Sequence, residues 1–198
     1  MARAAPYDRA KTLDSAMSLF WCKGYHATSI KDLEGTLAMK PGSIYAAFQS
    51  KEAFYLLALE RYFETFREQF RAQISEASSP LQGLADHLRA YALLSPEDGT
   101  RQACMIVKSF VETRNTEPAI AEQSKAYFSA MRSEISAAFD AAQEQGEIAT
   151  DVDTSRLAHL FQAYVSALRF ELHLGSPQDE IEALAEDMAG AIEALRVK

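Results

Sequence analysis

Between its proline and glycine marks, this chain carries apolar residues at three- and four-residue intervals from near its start to near its end. That spacing is one face of an α-helix, and no stretch shows strand-like alternation. The expected fold is therefore all-α, with about nine helices. The spacing predicts a first helix over residues 8–23, stopped by Gly24. Thr28 or Ser29 can cap the second, over residues 29–37. Pro41 suits the first turn of the third, which runs to Phe48. Ser50 can cap a long fourth helix over residues 51–76. Further helices are expected over 80–94, 102–114, 118–145, 153–174 and 177–196, with breaks at Ser78-Ser79-Pro80, Ser95-Pro96-Glu97-Asp98-Gly99, Glu117-Pro118, Gly146 and Gly175-Ser176-Pro177.

At 198 residues the chain is long enough to bury a sizeable core. No run approaches the roughly 18 apolar residues that a membrane span needs, and the first residues lack an apolar signal core. The expectation is a cytoplasmic protein with no membrane partner. Cys22 and Cys104 cannot make a disulfide framework, and no C-x-x-C spacing exists for zinc or redox work. His26, His87, His159 and His173 are scattered, without the spacing of a metal site. Glycine-rich phosphate loops and nucleophile or metalloprotease motifs are missing. These observations predict no enzyme, no cofactor and no metal.

Charge is divided unevenly. Residues 1–51 hold seven Lys and Arg (Arg3, Arg9, Lys11, Lys23, Lys31, Lys40, Lys51) against four acids, a net of +3, while the whole chain carries −8. A basic head on an acidic body fits a protein that meets phosphates with one end only. Within that head, two short helices separated by a tight break are braced by the first helix. This is the layout in which the second short helix lies in a DNA major groove. Pro41, Gly42, Ala46 and Ala47 are compact enough for close approach. Ser43 and Tyr45 offer hydroxyls to phosphate oxygens. Lys40 can reach a guanine edge or a phosphate. Lys51 and Thr28 sit at helix starts, which favour anions. Ile44 and Phe48 face inward. A purely structural hairpin would not require Lys40, Ser43, Tyr45 and Lys51 along one outer side.

The stretch resembles the TetR family of bacterial transcriptional regulators. The residues that carry the resemblance are Leu19-Phe20, Lys23-Gly24-Tyr25, Ala27-Thr28-Ser29-Ile30, Gly42-Ser43-Ile44-Tyr45, Phe48 and Ser50-Lys51-Glu52-Ala53. The resemblance implies a helix-turn-helix DNA-binding domain over residues 1–50 and an effector-binding and dimerisation domain over 51–198. It implies a homodimer joined through the last two helices, a double-stranded operator and a small-molecule effector that releases it. Thr28, Ser43, Tyr45 and Lys51 match the family's phosphate-contact positions. Lys40, Pro41, Gly42, Ala46 and Ala47 match positions that approach bases. Two residues depart from the pattern: Ala38 stands where the turn usually has Gly, and Ala46-Ala47 are smaller than is frequent there. With few side chains able to bond bases, thymine methyl contacts and DNA shape should carry much of the specificity.

In the body, Ile181, Leu184, Ala185, Met188, Ala191, Ile192 and Leu195 form one stripe. Leu157, Leu160, Phe161, Tyr164, Val165, Leu168 and Leu172 form another, with small Ala163, Ser166 and Ala167 on a further side. Burial on more than one side suits a helix that packs inward and against a second subunit. The aromatic and Met-rich middle helices offer Phe66, Cys104, Met105, Lys108, Tyr127, Met131 and Tyr164 as candidate effector contacts. Lys108 either snorkels outward or pairs with Glu112 four residues on, or it faces an acidic effector. Cys104, with Lys108 near, is a candidate sensor of electrophiles or oxidants.

Overall fold

A computed structural model describes residues 8–94 and 103–197. Among them are nine helices and no strand: α1 (Arg9–Lys23), α2 (Ile30–Leu37), α3 (Pro41–Phe48), α4 (Lys51–Glu76), α5 (Pro80–Ala92), α6 (Met105–Thr113), α7 (Pro118–Glu144), α8 (Thr154–Leu174) and α9 (Gln178–Glu193). The all-α fold and the helix order match the periodicity. Differences lie at the ends. α5 stops at Ala92 rather than Leu94, and α9 stops at Glu193, beyond which Leu195 and Arg196 close tighter three-residue turns. The Ser95–Gly99 break, the expected start of the sixth helix at Gln102 and the basic Arg3 lie outside the described residues.

Local chemistry sets the boundaries. Asp8 accepts the backbone N–H groups of Ala10 and Lys11 at the start of α1. Gly24 ends that helix at φ 84° and ψ 172°, a region essentially reserved for glycine. Ser29, not Thr28, caps α2: its hydroxyl accepts from the Asp32 N–H, and Asp32 accepts from the Ser29 N–H. The Ser50 hydroxyl accepts from Ala53 N–H at the start of α4.

The residues form two compact units, Met1–Thr65 with Met105–Ala126, and Phe66–Cys104 with Tyr127–Lys198. In the first unit the core is aromatic. Phe20 meets Phe54 and Tyr55 edge-on, Phe48 stacks on Phe54, and Trp21 meets Tyr62 at 5.0 Å. Phe20, Leu33, Phe54 and Leu59 are wholly buried, each contributing about 1.5–3 kcal/mol by leaving water. The Tyr55 hydroxyl lies 2.6 Å from the Ser109 hydroxyl, which itself donates to Met105 O. That pair ties α4 to α6.

The second unit buries Phe70, Leu81, Leu84, Leu88, Phe139, Phe161, Leu168, Ile181 and Ile192 in one cluster. Arg89 of α5 forks onto Glu186 and Glu193 of α9. Glu147, buried in the turn after α7, accepts from the Ser79 hydroxyl and the Leu81 N–H at the start of α5, and pairs with Arg196. Burial works against ionisation of Glu147, but those hydrogen bonds outweigh it and leave its pKa below the usual carboxylate value. No described helix is long and apolar enough to cross a membrane.

Candidate nucleic-acid interface

α2 and α3 are separated by Ala38, Met39 and Lys40. Ala38 takes the left-handed conformation, φ 51° and ψ 34°, that turns the chain. α3 then begins at Pro41, with Lys40 before it in extended conformation. On this short helix Ile44 and Phe48, four residues apart, are each 2% exposed. They fix the inner face. Lys40, Pro41, Gly42, Ser43, Tyr45 and Ala46 are exposed, and Ala47 is half-buried. A Cβ built on Gly42 would meet nothing within 4 Å. The N-terminal end of α3 thus presents a cation, a hydroxyl and low relief to solvent.

α3 leaves through a second strained residue. Gln49 has φ 65° and ψ −55°, and the Ser50 N–H donates to Phe48 O at 2.8 Å. This is a γ-turn of the rare positive-φ hand. Non-glycine residues at positive φ, Ala38 and Gln49, therefore lie on both sides of α3.

Lys51, just after this turn, is half-buried, with its ammonium 4.3 Å from the centroid of the Tyr25 ring. Burial lowers its pKa below the usual lysine value. Its charge is anchored by the ring rather than held out on a free stem. Thr28 departs from expectation. It is fully buried, and its hydroxyl donates to Gly24 O at 2.6 Å. The hydroxyl braces the α1–α2 turn and is not presented to solvent at the helix start, where the sequence pattern has it meeting a phosphate. Beside it, Asp32 pairs with Lys23 at 2.7 Å. Hydrogen bonds from Lys23 and then Ser29 hold the Asp32 carboxyl well below its usual pKa.

The sequence pattern missed how α6 grips this head. The Lys108 ammonium donates to Trp21 O at 2.6 Å and Cys22 O at 3.4 Å, carbonyls at the end of α1. A cation there also meets the negative end of the helix dipole. Glu112 accepts the N–H groups of Tyr25 and His26. Just past α6, Thr116 Oγ1 lies 2.9 Å from His26 Nε2. Lys108 is thus engaged with α1, which replaces both the Glu112 pairing and the effector contact expected of it. The signal available was positional: residues 108, 112 and 116 recur every four residues along one side.

The remaining effector candidates fall in different places. Met105 is buried in the first unit with Lys108. Met131 and Tyr164 pack against the core of the second unit. Phe66 lies under the Arg169 guanidinium there, 4.9 Å from its ring centroid. Tyr127 and Cys104 are half-buried, and Cys104 is a free thiol.

Comparison with known proteins places both regions. A model of bacterial regulatory proteins of the tetR family matches residues 13–58. A model of tetracyclin repressor-like C-terminal domains matches residues 80–188. The chain is 27% identical over 184 residues to the HTH-type transcriptional repressor ComR of Escherichia coli, covering 92% of this chain and 88% of that protein. It superposes with a TM-score of 0.86 on a cysteine mutant of the regulator CifR solved with 26bp double-strand operator DNA, at 25% identity, over 96% of this chain and 99% of that one. A regulator from Chloroflexus aurantiacus gives 0.81 at 26% identity, over 96% of each chain.

Proposed function

The chain belongs to the TetR family of bacterial regulatory proteins, and from that premise we propose that it is a homodimeric repressor released from its operator by a small-molecule effector. That it is a DNA-binding regulator follows from the family. The finer reading rests first on one observation: α3 buries Ile44 and Phe48 while Lys40, Ser43 and Tyr45 stand exposed along its other side. In this reading Ser43, Tyr45 and Lys51 hold phosphates. Lys40 reaches toward a base or phosphate, and Pro41, Gly42, Ala46 and Ala47 let the helix sit close. Thr28 acts only from within, by bracing the turn that positions α2.

The dimer reading is supported by α8. Leu160, Phe170 and Leu174 are 46%, 56% and 60% exposed, with exposed Ala163 and Ala167 between them at three- and four-residue spacing. An apolar stripe of that spacing suits a second copy of the same helix about a two-fold axis. The two heads would then meet half-sites about 34–36 Å apart, or a multiple of that distance.

The release reading needs a link between effector and head. Lys108 and Glu112 support one, because Lys108 holds carbonyls of the last turn of α1 and Glu112 the N–H groups of the turn that follows it. An effector that prefers a shifted α6 would move that turn and lower operator affinity, in proportion to its preference for the shifted state.

The test is titration of the purified protein onto DNA from upstream of its own gene, followed by fluorescence anisotropy. The expected complex holds two protomers, resists non-specific competitor and weakens steeply with salt. Failure to form a competitor-resistant complex on any such segment would overturn the operator reading.

A further inference from the structure

Lys51 stands among acids. Burial lowers its pKa, while the charges of Glu112, Glu117 and Asp32 act in the opposite direction. Among the described residues its ammonium nevertheless pairs with no carboxylate. It rests on a ring instead, with Nζ 4.3 Å from the centroid of Tyr25.

That ring is itself held in place. Tyr25 is 7% exposed. Its backbone N–H donates to Glu112 Oε2 at 3.0 Å. Its ring meets Tyr55 of α4 edge-on at 5.1 Å, and the Tyr55 hydroxyl is fixed by Ser109 of α6. Burial, then the charges of Glu117 and Glu52 and a hydrogen bond with Glu117, raise the pKa of the Tyr25 phenol. The ring is thus anchored from α4, from α6 and from the residue that precedes α7.

A ring and a carboxylate hold an ammonium with different consequences. A carboxylate cancels the charge and takes up one of its donors. An aromatic face attracts the cation through its quadrupole and carries no net charge, so the positive charge stays available to an anion from outside. The ring also restrains a long side chain whose freedom would otherwise be lost on binding. At the first residue of α4, the helix dipole favours the same anion. Core packing accounts for an aromatic at residue 25, but not for a cation resting on it while three acids stand near.

We propose that Tyr25 is a positioning residue for DNA binding: its ring holds the Lys51 ammonium, uncancelled, where a backbone phosphate meets the start of α4. Tyr25 acts through Lys51 and does not itself touch DNA. The proposal rests on the reading of Lys51 as a phosphate contact and assigns that grip to a residue of the α1–α2 turn. Phosphates are the same at every sequence, so the effect falls alike on the operator and on any other duplex.

The full-length protein, Tyr25→Leu, Tyr25→Phe, Lys51→Met and the double variant Tyr25→Leu with Lys51→Met are titrated onto two duplexes, one of random sequence and one from upstream of the gene, at several salt concentrations. Lys51→Met should weaken binding to both and reduce the salt slope by about one. Tyr25→Leu should weaken both by about three- to ten-fold, and Tyr25→Phe, which keeps the ring, should restore most of that affinity. In the Lys51→Met background, Tyr25→Leu should change affinity little, because the ring then has no ammonium to hold. Where Tyr25→Leu does not fold, a ring-fluorinated phenylalanine at position 25 decides. It keeps the shape and drains charge from the ring face, so it should bind more weakly than Tyr25→Phe only while Lys51 is present. Equal losses in both backgrounds, or equal losses from Tyr25→Leu and Tyr25→Phe, overturn the proposal and leave Lys51 as a phosphate contact. Random-duplex binding unchanged by Lys51→Met overturns the proposal and the phosphate reading of Lys51 together.

Discussion

The Glu112 carboxylate accepts the backbone N–H of His26 at 2.6 Å, 86 residues away in sequence, while its other oxygen takes the N–H of Tyr25 at 3.0 Å. A side chain on α6 thereby closes the turn that joins α1 to α2. Gly24 makes the approach possible, since a Cβ there would lie 2.6 Å from Glu112 Oε2. Removing the carboxylate leaves two turn N–H groups without their acceptor. Glu112→Ala should cost about 1–3 kcal/mol in urea denaturation, and Glu112→Gln about 1 kcal/mol. Operator affinity of the folded Glu112→Ala protein should also fall, because the turn sets the placement of α2 and α3. Unchanged affinity in that variant would remove Glu112 from the coupling path.

Ala38 offers a test in the opposite direction. It holds φ 51° at the end of α2, where a Cβ costs about 1–2 kcal/mol relative to a right-handed residue. Glycine relieves that strain but adds freedom to the unfolded chain. Ala38→Gly should raise stability by about 0.5–1 kcal/mol, read as a higher urea midpoint at unchanged slope. No gain would show that the turn is not strained.

What the sequence could reveal divides along physical lines. Helix positions were legible because they rest on local signals: the apolar spacing, Pro41 at a first turn, and Ser29 three residues before Asp32. The inner face of α3 was legible for the same reason, since Ile44 and Phe48 are one turn apart. Thr28 was not. Whether its hydroxyl turns outward or back to Gly24 O depends on the exit direction of α1, which no local pattern encodes. Lys108 and Glu112 were misread because their partners are backbone atoms, and backbone atoms leave no mark in a sequence. Arg169 was illegible for a different reason: its setting against the side chains of Phe66 and Tyr91 joins three separate helices.

His87 predicts how stability depends on pH. Its pKa stands at about 4 in the folded chain, against about 6.5 when unfolded. Between those values the unfolded chain binds a proton that the folded chain does not. Stability from this group is therefore fully present above about pH 6.5 and declines as pH falls toward about 4. The span corresponds to at most about 3–4 kcal/mol. His87→Gln should be less stable at pH 7 but flatter from pH 6.5 to 5, as measured by urea midpoints at each pH. Parallel profiles for the two proteins would mean that His87 is protonated in the folded state.

The apolar stripe on α8 predicts an assembly change. Leu160 and Phe170 are 46% and 56% exposed, so a charge at either position should leave the folded chain itself largely undisturbed. Set against a second subunit, the same charges would be buried without partners. Leu160→Glu with Phe170→Glu should weaken association by about 100-fold or more. Light scattering at micromolar concentration should then report a monomer with unchanged helical content. A persistent dimer would place the interface elsewhere.

The last prediction separates grip from reading on α3. Ser43 stands at the exposed N-terminal end of that helix, where a hydroxyl serves phosphate oxygens, and phosphates are the same at every sequence. Ser43→Ala should therefore weaken specific and non-specific DNA by similar factors. Lys40 precedes the helix in extended conformation, exposed and without a side-chain capping bond, so its ammonium can extend toward either a base edge or a phosphate. If it reads a base, Lys40→Ala should change the preferred base at one position of each half-site, a discrimination of about 1–3 kcal/mol. If it holds a phosphate, the same variant should lower all affinities together and reduce the salt slope by about one. Competition against operators randomised one position at a time, repeated at two salt concentrations, tells these apart. Ala46 and Ala47 leave little else on the helix to bond a base, so a Lys40→Ala variant that lowers all affinities together would leave sequence preference to methyl contacts and DNA shape.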